Sequence, residues 1–237
     1  MRILALESSA KAASAAVTQD GRVVCSAYQN TGLTHSRTLM PMVEAMLRNA
    51  DLTVAAMDAV AVAVGPGSFT GIRIGVAAAK GLAFAADKPA VAVSTLEAMA
   101  WNVAWWDGLV ICAMDARRSQ VYNALFEARD GRLTRLTPDR AVGLDALRDE
   151  LAHMGQRKII VGDGGPLCYN DLLENQISCR LAPPHLVMQN AVSVSLAAEQ
   201  AAREGRLQSA QELTPVYLRL SQAERERNER MKKEQSK

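Results

Sequence analysis

Short apolar blocks separated by turn residues open the chain. Ile3–Leu6, Ala12–Thr18 and Arg22–Tyr28 read as three strands, and Asp20-Gly21 between the last two is a strong hairpin signal. The period then lengthens. Leu39, Met42, Val43, Met46 and Leu47 recur at helical spacing, which predicts a helix from about Ser36 to Asn49. The small apolar run Ala59–Val64 predicts a buried strand, Ile72 to Ala85 a helix, Ala90–Val93 a strand, and Thr95 the start of another helix.

The same series begins again after Asp107-Gly108. Leu109–Met114, Val121–Ala128 and Arg132–Leu136 read as strands, with Asp130-Gly131 as the hairpin turn. A helix near Leu144–His153, a strand at Lys158–Val161, a turn through Gly162-Asp163-Gly164-Gly165-Pro166 and further helix follow. A strand meander leading into alternating helix and strand, twice over, predicts a duplicated α/β fold with two similar halves. The expected division is 1–106 and 107–220, followed by a charged tail at 221–237 that is expected to be disordered.

Two acids fall at equivalent places in the repeat, Glu7 after the first strand and Asp115 after its counterpart. Both would face a cleft between the halves, where a carboxylate pair could hold magnesium on a nucleotide or simply cap the next turn. In a nucleotide cleft, Ser8, Ser9 and the Gly162–Gly165 turn, Gly164 included, would complete the set. The segment Gly65-Pro66-Gly67-Ser68-Phe69-Thr70-Gly71 joins strand to helix. It reads as an anion seat at a helix N-terminus or as a tight, closely packed connection, with Ser68 or Thr70 as the cap.

Composition narrows the function classes. Apolar residues make up 49% and charged residues 22%, enough for an ample core, and the net charge of +2 argues against a broad nucleic-acid groove. The four cysteines show no CxxC spacing and are expected as reduced thiols. The opening residues do not read as a signal peptide and no apolar run suits a membrane span, which places the chain in the cytoplasm. His35, His153 and His185 show no metal-ligand pairing, and Ser8, Ser9 and Ser68 have no histidine pattern to support a hydrolase triad.

The helix after Gly71 is apolar almost all round, with only Arg73 and Lys80 polar. One sheet face cannot bury such a helix, so its other side needs a second helix or a partner protein. Leu39, Met42, Val43 and Met46 of the preceding helix, with Ile74, Ala78 and Leu82 of this one, form the expected partner ridge. The alternative is that both faces are internal core.

The segments Arg2-Ile3-Leu4-Ala5-Leu6-Glu7-Ser8-Ser9, Thr34-His35-Ser36, Gly65 to Gly75, Val93-Ser94-Thr95-Leu96, Asp115-Ala116-Arg117 and Thr214 to Arg219 together resemble the TsaB (YeaZ) family of the bacterial tRNA threonylcarbamoyladenosine pathway. The likeness runs nearly end to end, leaving out the tail. It implies the fold of actin, sugar kinases and heat-shock ATPases (ribonuclease H-like). It also implies a non-catalytic subunit that supports the paralogue TsaD in threonylcarbamoyl transfer beside the anticodon and helps recruit the ATPase TsaE. The implied pairing is a heterodimer with TsaD, with a homodimer as the alternative for the chain alone, and tRNA is met only through the complex. No cofactor or metal of its own is implied. Thr95 and Met99 stand where the catalytic paralogue has its two histidines, and Glu7 stands where many relatives have aspartate. Two other readings remain, an ATP-binding phosphotransferase of the same fold and a zinc peptidase.

Overall fold

In the computed structural model, which describes residues 1–219, the chain builds two sheets of matching strand order. The tail expected at 221–237 lies outside the described residues. In the first sheet, β1 (Arg2–Glu7), β2 (Ala13–Gln19) and β3 (Arg22–Gln29) form an antiparallel meander, while β4 (Ala59–Gly65) and β5 (Ala90–Ser94) run parallel to β1, in the order β3-β2-β1-β4-β5. The second sheet repeats this with β6 (Gly108–Asp115), β7 (Gln120–Arg129), β8 (Arg132–Arg135), β10 (Lys158–Val161) and β11 (Arg180–Leu181). Its meander carries an extra strand, β9 (Arg140–Gly143), paired with β7. Asp20-Gly21 and Asp130-Gly131 take positive φ throughout (52° and 76°, 52° and 72°), as a two-residue hairpin turn that matches strand twist requires.

Six α-helices and a short 3-10 turn at Val54–Ala56 complete the described fold: α1 (His35–Asn49), α2 (Phe69–Ala85), α3 (Thr95–Trp101), α4 (Leu144–Ala152), α5 (Gly165–Glu174) and α6 (Ala191–Arg203). Helices α1 and α2 cover the outer face of the first sheet, packing Val43, Met46, Ile72, Val76 and Ala79 on Leu4, Leu6, Val60 and Val62. Leu147, Leu151, Cys168 and Leu172 of α4 and α5 do the same for the second sheet. Between the sheets lie α3, packed on Val110, Cys112 and Phe126, and α6, packed on Ile3, Ala5 and Ala61. Alanine fills most of the α6 contact, so helix and sheet approach closely without large side chains.

The return of α6 corrects the division at 107–220. Residues 191–203 follow the second half in sequence but supply the inner cover of the first. The chain continues on the first half as a strap. Gln208 bridges Ala90, Leu213 is wholly buried in the α1–α2 core, and the Val216 N–H donates to Val64 at 2.8 Å.

The glycine-rich turn before α2 explains itself by close packing. A Cβ at Gly71 would lie well inside contact distance of the Ser8 carbonyl oxygen, a backbone atom that cannot swing away. Gly71→Ala is therefore expected to cost about 1–3 kcal/mol in urea unfolding, whereas the same change at Gly81, where the added carbon meets nothing, should be neutral or stabilising.

Candidate functional site

Two surfaces can carry function. The first is a cleft of about 560 Å³ between the halves. Ser9 and Lys11 from the β1–β2 turn, Pro66 to Thr70 from the β4–α2 turn, Asp115 and Arg117 at the end of β6, Asp163 after β10, and the strap residues Val216 to Arg219 line it. The strap spans the opening. Tyr217 stacks on Phe69 with ring centroids 4.8 Å apart and accepts a hydrogen bond from Arg73 Nε at 2.8 Å, and the Arg73 guanidinium sits 3.8 Å above the Phe69 ring. On the far side Arg219 donates to the Ala116 carbonyl at 2.7 Å.

Of the residues expected in a nucleotide cleft, Ser9 and Asp115 line it. Asp115 accepts the Arg117 N–H at 2.7 Å. Glu7, Ser8 and Gly164 do not line it. Glu7 is sealed beneath, with no exposed surface. Its Oε1 accepts the Ser9 N–H at 2.5 Å while Oε2 has no hydrogen-bond partner. Loss of hydration pushes its carboxyl up to about 7, with Ser9 and the Ser8 N–H pulling partly the other way and the Asp163 carboxylate adding to the rise. Ser8 donates to the Gly71 carbonyl at 2.9 Å, and Gly164 is pressed against the end of β6. Asp163, which the sequence reading left inside a turn, faces the cleft, accepts from Gln189 at 2.9 Å and is also raised by burial.

The anion seat before α2 is largely occupied by the protein itself. The Ser68 hydroxyl caps the helix through the Gly71 N–H at 3.3 Å, and the Ser68 N–H donates to the Ser9 carbonyl at 2.6 Å. His35 bonds the Ala10 carbonyl through Nε2 at 2.7 Å, tying α1 to the β1–β2 turn. Thr95 and Met99 are both buried inside the protein, Met99 against the second sheet. A hydroxyl and a thioether there do not make the ligand set that two imidazoles would, so the donors present do not fit a metal at that position.

The second surface is the outer side of α1 and α2. Here the seven-residue ridge divides. Leu39, Val43 and Met46 point into the core and are corrected from partner contacts to core residues, while Met42, Ile74, Ala78 and Leu82 remain partly exposed. What faces solvent on α2 is Thr70 and Arg73 in its first turns, then Ala77, Gly81 and Ala85, beside Phe84 at 70% exposure. A groove of about 600 Å³, floored by Met40, Leu47, Val54 and Leu82, runs between α1 and the C-terminal part of α2. The two charged residues of α2 are held by the strap, Arg73 by Tyr217 and Lys80 by the Gln211 carbonyl at 3.0 Å.

Comparison with known proteins fits this architecture. A family model described as TsaD, tRNA N6-adenosine threonylcarbamoyltransferase, matches residues 29–226. The tRNA threonylcarbamoyladenosine biosynthesis protein TsaB of Bacillus subtilis is 32% identical over 94% of this chain and 96% of its own. The chain belongs to the TsaB family. The TsaB of Escherichia coli is 31% identical over 92% of this chain and 95% of its own. The solved structure of YeaZ from Pseudomonas aeruginosa superposes with a TM-score of 0.80 at 29% identity, covering 92% of this chain and 99% of that one. The duplicated α/β fold expected from the resemblance is thus the fold found, and TsaB-family membership places the chain in tRNA threonylcarbamoyladenosine biosynthesis. Among the described residues no helix is long and apolar enough to cross a membrane.

The sequence reading missed the strap's part in the cleft. Its signal was present in Thr214 to Arg219, which match the family pattern, but nothing local says that Tyr217 meets a ring 148 positions earlier.

Proposed function

We propose that this TsaB-family chain is a non-catalytic cytoplasmic subunit. It supports a TsaD-type transferase in threonylcarbamoyl transfer to tRNA and helps present that pair to a TsaE-type ATPase. The observation that carries this reading is the solvent face of α2. Ala77, Gly81 and Ala85 with Phe84 form an uncharged stretch of helix surface with small residues along its centre, bounded by Arg73 one turn earlier and by Lys80, and flanked by the groove to α1. A helix pair of the paralogue could pack there at short interaxial distance. Phe84 supplies the kind of exposed aromatic anchor that dominates association energy. The match of the chain to a TsaD-type family model supports a partner of like fold.

The chemistry has to come from that partner on this reading. Thr95 and Met99 supply no imidazole pair, and Glu7 is withdrawn from the cleft. Purified chain supplied with threonylcarbamoyl-adenylate and tRNA is expected to yield no modified tRNA, and addition of the transferase paralogue is expected to restore it. Modification by the chain alone, read by nucleoside mass spectrometry, would refute the proposal.

The cleft favours a second reading, an ATP-binding phosphotransferase, because Ser9, Asp115 and Asp163 converge on it. Calorimetry with magnesium and ATP separates the two, since a phosphotransferase must bind at millimolar nucleotide or better.

A further inference from the structure

All three tryptophans of the chain fall within six residues, Trp101, Trp105 and Trp106. Trp101 ends α3 and packs against the inner cluster of the first sheet, while Trp105 and Trp106 lie just before β6 at the end of the second sheet. Trp106 is nearly buried at 8%, its Nε1 has no hydrogen-bond partner, and it packs in the core around α3 and Cys112. Trp105 meets it edge to face at 6.1 Å and is 61% exposed. Indole is costly to leave in water, and nothing in the fold of this half requires it there.

Two arginines frame the pair. The guanidinium of Arg157 lies 4.2 Å from the centre of the Trp106 ring and that of Arg180 lies 5.4 Å from it. Their backbones are fixed. The Arg157 carbonyl accepts the Leu109 N–H at 2.8 Å, and Arg180 pairs with Ile159 in the sheet. Both residues are exposed, and neither has a carboxylate partner among the described residues. The nearby carboxylate of Asp107 is already engaged by the Asp130 N–H at 3.0 Å.

An exposed indole next to two guanidinium groups that rest on its neighbouring ring and have no carboxylate partner is the chemistry that binds an unstacked nucleobase with its flanking phosphates. We infer that Trp105, Arg157 and Arg180 form a contact site for an unpaired stretch of RNA. The inference rests on the tRNA role given above and adds to it a surface on this chain that touches the RNA. The modest net charge of the whole chain is no obstacle, because the site is local. It is also compatible with the proposed docking face. The eight-residue strand β6 separates it from the cleft by roughly 25 Å, and it lies at the second sheet, whereas α1 and α2 cover the first.

The test uses the full chain at low salt and two fluorescent RNAs, a hairpin with an unpaired loop and a blunt duplex of the same length. Trp105→Ala is expected to weaken the hairpin about tenfold while leaving the weaker duplex binding unchanged, and Trp105→Phe, which keeps a stacking face, should recover most of the loss. Arg157→Ala with Arg180→Ala should reduce the salt dependence of hairpin binding by about two phosphate contacts. Equal affinity of wild type and Trp105→Ala for the hairpin overturns the inference. So does a Trp105→Ala chain that keeps its RNA affinity but no longer binds the transferase, since the patch is then a protein hot spot. Failure here leaves the α1–α2 docking reading standing, because that reading is judged by association of Ala77 and Phe84 variants and not by RNA.

Discussion

Glu7→Gln is expected to flatten the pH dependence of folding stability between about pH 5 and pH 8. Below the ordinary value of 4.5 the carboxyl is protonated in both folded and unfolded chains and adds no slope. Between 4.5 and about 7 the folded chain keeps a proton that the unfolded chain releases, so stability falls as pH rises. Above about 7 the folded chain must hold a carboxylate with no exposed surface and one oxygen unpaired, and the full cost, about 3 kcal/mol, is in force. Glutamine has the same shape and no charge. Urea unfolding at several pH values should show the variant about 1–3 kcal/mol more stable than wild type at the alkaline end, with the two converging towards pH 5. Parallel curves for the two proteins would show that Glu7 does not titrate as its burial demands.

Ala77→Glu combined with Phe84→Glu is expected to weaken association with the transferase paralogue at least about a hundredfold, with folding nearly untouched. Both side chains face solvent in the lone chain, so the new carboxylates are hydrated until a partner tries to cover them. Desolvating two charges at a helix crossing, and losing an aromatic anchor, then act together. Titration calorimetry for affinity and thermal unfolding for stability check the two halves of the statement. Met46→Glu gives the contrast. That residue lies in the core beneath α1, so a charge there should unfold the chain and would say nothing about docking. Wild-type affinity in the doubly substituted chain would place the partner elsewhere.

The distance between the expected ridge and the observed surface shows what periodicity can and cannot tell. Spacing identified both helices and their apolar stripes, because a helix against a sheet needs neighbours at three and four residues. It could not tell an inward stripe from an outward one. Leu39, Val43 and Met46 were indistinguishable from Met42 until the sheet was in place. The meanders were legible through Asp-Gly turns and short apolar blocks. Strand β11 has two residues, too short to show a period, and β9 reads Arg140-Ala141-Val142-Gly143, with no apolar block to mark it. Helix α6 is buried on most of its surface, so its polar residues mark no solvent face. Ser195 is turned inward to Thr18 at 2.5 Å, and Glu199 is nearly buried beside Arg203. At the cleft, Ser9 and Asp115 followed from strand ends, whereas Glu7 needed the third dimension to be seen as sealed.

The late arrival of α6 has a consequence for how the protein is made. During synthesis the inner side of the first sheet, with Ile3, Ala5 and Ala61, must wait for residues 191–203 before it is covered. A ribosome that has delivered only the leading portion holds a sheet with one bare, greasy side, a species prone to stick to others like it. The amino-terminal portion is therefore finished by a stretch translated only after the whole second sheet, and neither portion is a unit that could be cut out and expected to stand alone.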